Sequence, residues 1–359
     1  MKRLIVWLLV VIMALGCLNF AAADLTVIEP DMELDISGQV QDIEKTHPMQ
    51  ESIAPLTGLP ASGEPYTPIA LILDNSPEVY PHWGVSEADW IVQVPLRKDG
   101  GTRLMAIYGN EYPEQAGGAR SSRMTNLPVA VMFHADFAYA GHAPIWGENI
   151  EVDKWIDEWD YNKPIRYVDL LGNRFRERVD FLEKPLNLSA HIKEIHESLI
   201  ERKVKFENRG PLFTDEPLTA GDEARVVHLQ FMSLNPEEPV ENTVSDCDLV
   251  YSENKGYVRA SKSGIFSDRF TGEEVTFANV IIMRTGVEWD GNYPYYTNHL
   301  KVCGQAEIFQ NGRHFTGAWY RAGRLTRLVV LDENGEEIAF QRGRTYLAIG
   351  EEHMIVSYE

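Results

Sequence analysis

From Pro55 onward the chain alternates short apolar runs with polar turns. "TPIALILDN" (67–75) and "DWIVQVPL" (89–96) are compact runs of strand length, and "TRLMAIYGN" (102–110) follows the turn "RKDGG". "DFAYAGH" (136–142) reads as a further buried strand. A helix is predicted after "GGARSSR", kinked or restarted by Pro128, because an interior proline costs roughly 3 kcal/mol. "IEVDKWIDEWD" (150–160) repeats with helical period and puts Val152, Trp155, Ile156 and Trp159 on one face. "SAHIKEIHESLIERK" (189–203) predicts a helix capped by Ser189 with Ile192, Ile195 and Leu199 inward.

After about Ala224 short strands separated by glycine and asparagine turns dominate. "ARVVHLQF", "GYVRAS", "FANVIIMRT", "LKVCGQAEIF", "RLTRLVVLD", "EEIAF" and "TYLAIG" are short strands, and Asn311-Gly312 and Asn334-Gly335 each stand between two of them as hairpin signals. With a polar, acidic stretch at 207–223 as the boundary, the pattern predicts an α/β (or α+β) domain over 55–210. A mostly antiparallel β domain over 224–359 follows it.

The N-terminus has a different character. Residues 1–23 carry Lys2 and Arg3, an apolar run from Leu4 to Leu15 and then small residues, the layout of an export signal too short to be a permanent span. Ala21-Ala22-Ala23 suits ordinary cleavage, whereas Ala14-Leu15-Gly16-Cys17 is a poor but usable lipoprotein box, so a lipid anchor on Cys17 and release after Ala23 both stand. Residues 24–54 are acidic and hold neither period, which predicts a solvated leader. Once Cys17 is processed, Cys247 and Cys303 remain as a possible pair. In an oxidising compartment a disulfide between them would add about 4 kcal/mol on the chain-entropy model; two buried thiols are the alternative.

Charge narrows the function. The 359 residues carry 33 Lys plus Arg against 54 Asp plus Glu, a net charge of −21, so nucleic acid is not an expected partner. Against that background "GGARSSRMTN" (117–126) stands out. On a helix, Arg120 and Arg123 would share a face at an N-terminus that already favours anions, the glycines would let a ligand approach, and Arg103 on a neighbouring strand could join them. Such a cluster is either a carboxylate or phosphate pocket or a set of arginines paired with the protein's own acids. Ser121 and Ser122 lack a lysine three residues on or a G-x-S-x-G elbow, and the glycines do not fit a phosphate loop, so serine catalysis is not indicated.

His191 and His196 are five apart and about 140° around a helix from each other, which does not make a zinc face. His142, just past a buried strand, could act as an acid–base group with Asp74 or Asp136, or be structural. No motif requires a metal or cofactor.

The motifs "DNSPEVYPHWGVSEADWIVQ" (74–93), "GGTRLMAIY" (100–108), "GGARSSRM" (117–124) and "GHAP" (141–144), followed by "FANVIIM" (277–283), "GAW" (317–319) and "RGRTYL" (342–347), resemble in order and spacing the YerB-like bacterial lipoproteins. The resemblance runs from about residue 55 to 359 and implies an exported two-domain protein of unestablished activity, with lipid attachment at Cys17. It marks Asn75, Arg103, Arg120, Ser121, Arg123 and His142 as recurring polar positions. Two positions depart from the family pattern: Gln93 stands where a glutamate is expected, and Pro185-Leu186-Asn187 where Pro-His-Asn is expected. A site built on that acid and histidine would have lost both, while binding through arginines would survive. The expected function is therefore a non-catalytic envelope module that recognises an anionic ligand such as a wall fragment. A wall-active hydrolase using His142 and a module docking a membrane partner are the alternatives.

Overall fold

The computed structural model describes residues 25–36, 40, 43, 46–142, 152–161, 166–216, 219–231, 245–291, 293–297, 300 and 302–359; the export signal and Cys17 lie outside these. Strands dominate, and the described residues include three α-helices: Leu127–Met132, Val152–Glu158 and Ile192–Glu201. The expected strand–helix alternation of the first half is therefore present only in outline. The predicted strands formed as Ile69–Leu73, Trp90–Pro95, Thr102–Tyr108 and Asp136–Tyr139, all buried on both faces.

These four strands belong to an 11-stranded sheet that also takes in the second half of the chain. Trp90–Pro95 pairs antiparallel with Thr102–Tyr108 on one side and parallel with Thr345–Gly350 on the other, Ile91 opposite Tyr346 and Val92 opposite Leu347. Asn279–Arg284, Val302–Gln310 and Arg313–Arg321 continue the sheet beyond. Asn311 and Gly312, at φ 52° and 69°, close the last two strands into the tight hairpin their sequence predicts. The two halves thus share one hydrogen-bonded sheet.

Alternation along the central strands divides the core in two. Ile69, Leu71, Leu73, Ile91, Leu104 and Ala106 point to one face, where Val227, Leu229, Leu249 and Val356 of a second, seven-stranded sheet and Ile195 and Leu199 of the last helix cover them. Ala70, Ile72, Val92, Met105 and Ile107 point to the other, under Leu127, Val131, Val152, Trp155 and Trp159. The apolar stripe predicted for 150–160 is thus a core stripe. The last helix begins at Ile192 with His191 at its N-cap position, because Ser189 is in a strand, where its hydroxyl accepts from Trp83 Nε1 at 2.9 Å.

Two expectations are corrected. The segment read as a solvated leader is docked: Thr26–Ile28 pairs antiparallel with the C-terminal strand Ile355–Tyr358, Arg284 donates to the Ile28 carbonyl at 3.2 Å, and Leu34 and Ile36 pack beside Ala318 and Leu331. Its alternate apolar residues were too few to show a period, but they meet a sheet edge and a surface that need covering. Cys247 and Cys303 are not paired with each other. Cys247 lies in the seven-stranded sheet, facing Gln93, and Cys303 in the large sheet, under Leu34 and Asp35, so no disulfide joins them.

One core group is out of balance with its surroundings. Asp136 is fully buried, both carboxylate oxygens lack a hydrogen-bond partner among the described residues, and burial raises its pKa to about 7, offset only partly by the charges of Arg202 and Arg166. A raised folded-state value means a contribution to stability that is complete below the unfolded carboxyl value and lost as pH rises through about 7. Asp136→Asn is expected to match the wild type only below about pH 4 and to exceed it increasingly as pH rises toward about 7, by roughly 4 kcal/mol at about pH 8, measured by urea unfolding across that range.

Candidate functional site

"GGARSSRMTN" is not a helix start. Residues 117–122 run extended across the ends of the sheet: Asp74 N–H donates to the Gly118 carbonyl at 3.0 Å, Arg120 N–H to Ile72 at 3.0 Å, and Ser122 N–H to Gly141 at 2.9 Å. The helix begins only at Leu127. Nor do the two glycines open the backbone to a ligand. A Cβ on Gly117 would sit 2.4 Å from the Trp83 ring, and one on Gly118 2.4 Å from the Leu186 carbonyl, so their smallness is used in packing.

In an extended chain Arg120 and Arg123 diverge, and they do different things. Arg120 Nε lies 2.5 Å from Asp74 Oδ2 as an ion pair, and the same oxygen accepts a hydrogen bond from Arg103 Nη1 at 2.7 Å. Burial would push the Asp74 carboxyl up. The charges of Arg103 and Arg120, with the Ser76 N–H at 2.7 Å, outweigh that and hold it well below the usual carboxylate range. Arg103 is nearly fully buried, and desolvation lowers its pKa against the pull of Asp74. Arg123 instead lies over the Tyr293 ring at 5.2 Å and donates to the Ser122 carbonyl at 2.7 Å; burial, then the charge of Arg103, lowers its pKa to about 10.

Arg103, Arg120, Asp74, Asn75, Ser76, Arg97, Thr102, Leu186 and Ser245 border a pocket of about 270 Å³, with the exposed Glu78 at its rim. Arg120 keeps about a quarter of its side chain exposed there (26%), while one carboxylate serves two guanidiniums. Three of the six marked positions, Asn75, Arg103 and Arg120, meet in this pocket. Ser121, Arg123 and His142 do not border it: Ser121 caps the Ala140 carbonyl at 3.0 Å, and His142 Nε2 lies 3.0 Å from Asp153. The acid expected beside His142 is therefore neither Asp74, which the arginines hold, nor Asp136, at the far end of the preceding strand.

Beneath the pocket floor is a polar network that sequence reasoning missed. Thr102 Oγ1 accepts from Asn75 Nδ2 at 2.8 Å and from Gln93 Nε2 at 2.9 Å. Gln93 Nε2 also donates to the Ser245 carbonyl at 2.8 Å. Tyr80 donates to Asn75 Oδ1 at 2.7 Å, Tyr346 to Gln93 Oε1, and the fully buried Arg259 donates to both phenols, at 2.6 Å and 3.1 Å. One signal was available: in "GYVRAS" Arg259 falls on the inward phase of the strand with Tyr257. A smaller apolar recess lined by Phe231, Trp289 and Met354 adjoins the pocket across Arg97, Gly101 and Thr102.

The sequence matches the family described as protein of unknown function (DUF3048), its N-terminal domain over residues 56–205 and its C-terminal domain over residues 241–347, and the chain belongs to this YerB-like family. Over 304 residues it is 25% identical to a Bacillus subtilis (strain 168) protein bearing the name "Putative lipoprotein YerB", covering 82% of this chain and 85% of that one. The crystal structure of YerB from Bacillus subtilis has the same fold, with a TM-score of 0.66 and 23% sequence identity, over 83% of this chain and 96% of that chain.

The Asp74 clamp has a direct test. Because its folded-state pKa is depressed, its contribution is present above the unfolded carboxyl value of about 3.9 and lost as pH falls through the lower folded value. Asp74→Asn removes the charge that compensates buried Arg103 and is expected to lower stability by about 3 kcal/mol at neutral pH. The deficit should shrink as the wild type is acidified below about pH 4, measured by urea unfolding across the series.

Proposed function

We propose that this chain is an exported cell-envelope protein that binds an anionic ligand, a carboxylate- or phosphate-bearing wall fragment or peptide, without turning it over. The observation that carries this reading is Arg120. It is held in place by Asp74, left partly exposed at the rim of the pocket, and backed by the buried charge of Arg103. A guanidinium anchored at one nitrogen keeps its other donors for a planar anion.

The floor of the pocket supports binding over catalysis. Leu186 borders the cavity and Gln93 sits under it, the two positions at which the sequence departs from the resembled pattern, and neither can move a proton at neutral pH. His142 is engaged by Asp153 outside the pocket lining. The name of the Bacillus subtilis relative supports the lipid-anchored form, with Cys17 as the acylated residue, over release after Ala23.

Arg120→Ala is expected to abolish retention of the purified protein on cell-wall material while leaving its melting temperature within a few degrees, since a partly exposed pair carries little stability. Arg123→Ala should bind as the wild type does. Equal retention of wild type and Arg120→Ala would remove the basis for this reading.

A further inference from the structure

Arg259 is a buried cation whose hydrogen-bond acceptors are two phenols, Tyr80 and Tyr346. That arrangement fixes the direction of every hydrogen bond between it and the pocket. A guanidinium only donates, so each phenol oxygen accepts from Arg259 and must turn its own hydrogen onward. Burial holds both phenols above their ordinary pKa, so both keep that hydrogen. Tyr80 gives it to Asn75 Oδ1 and Tyr346 to Gln93 Oε1, which leaves the amide nitrogens of both residues facing Thr102. The Ser245 carbonyl, which can only accept, independently fixes the same orientation of Gln93.

Both branches end on one atom. Thr102 Oγ1 takes two hydrogen bonds, which fills its acceptor capacity and leaves it one hydrogen to donate. Among the described residues nothing accepts that hydrogen, although Thr102 is only 5% exposed and borders both the arginine pocket and the adjoining recess.

We infer that the Thr102 hydroxyl is a ligand-binding donor, oriented by a two-branched relay from Arg259 so that the pocket recognises an acceptor-only oxygen, that of a carboxylate or phosphate, beside Arg120. The inference rests on the anion-binding reading of the pocket and adds the group that reads the ligand's protonation. A carboxylate or a fully ionised phosphate oxygen can accept from Thr102, whereas an amide nitrogen or ammonium in that position meets a donor facing a donor. Tyr80 and Tyr346 act through others and are positioning residues. The relay also joins the two family domains, since Arg259 and Tyr346 belong to the second half and Thr102 to the first.

Titration calorimetry of the full chain with inorganic phosphate and with N-acetylglycine tests this, the two probes separating a phosphate from a carboxylate preference. Thr102→Val is expected to weaken the preferred probe by about tenfold or more and Thr102→Ser by less than about threefold, since serine keeps the donor. Tyr80→Phe changes no charge and does not border the pocket. It frees Asn75 to turn its oxygen toward Thr102 and capture the hydrogen, and should weaken binding by about threefold to tenfold with the fold intact by circular dichroism. If Thr102→Val loses its fold, Thr102→Ser and Tyr80→Phe still decide. Wild-type affinity in Tyr80→Phe, with binding still lost in Arg120→Ala, overturns the relay and leaves the anion pocket standing; no binding of either probe to the wild type overturns both.

Discussion

The parallel pairing of Thr345–Gly350 with Trp90–Pro95 is the constraint on which the rest of the structure depends. Parallel neighbours cannot be joined by a tight turn, so the chain must leave the first half, build the second and return before this strand can form. The return brings the C-terminal β meander edge to edge with the N-terminal strands. It also puts Tyr346 across from Ile91 and within hydrogen-bond reach of Gln93, two residues along. Without that strand the floor of the pocket has no Tyr346, and one branch of the Arg259 network is missing.

Charge in the pocket follows from the same seam. Asp74, Arg103 and Arg120 come from the first half and form a clamp carrying one more positive than negative charge. Arg259 comes from the second half and brings a further buried positive charge that donates to two phenols. In a protein of net charge −21, a surplus of positive charge bordering the cavity and another beneath its floor run against the composition. Burying unmatched cations costs stability, and the proposed anion site would give that cost a use.

Local pattern told much of the fold and less of the site. The central strands and the Trp155 stripe were legible because each is a full element with a strong period and a single burial answer. The joining of the two halves was not, because strand partners far apart in sequence leave no mark in local periodicity. The extended course of "GGARSSR" was missed because the packing of Gly117 on Trp83 and of Gly118 on Leu186 overrode helix propensity. The docked leader was missed because a three-residue edge strand such as Thr26–Ile28 is too short to carry a pattern.

The candidate site was legible only as residue types. "GGARSSRMTN" and Arg103 suggested cations, and Arg103 and Arg120 do meet, but on Asp74, which had been weighed as an acid for His142. Pairing with the protein's own carboxylate is what the structure shows, and the proposed presentation of charge to a ligand is compatible with it because one carboxylate is shared by two guanidiniums. The shared acid engages Arg120 without fully consuming its donors, so the clamp that accounts for the buried arginine leaves the partly exposed one with the donors that the proposed anion would take.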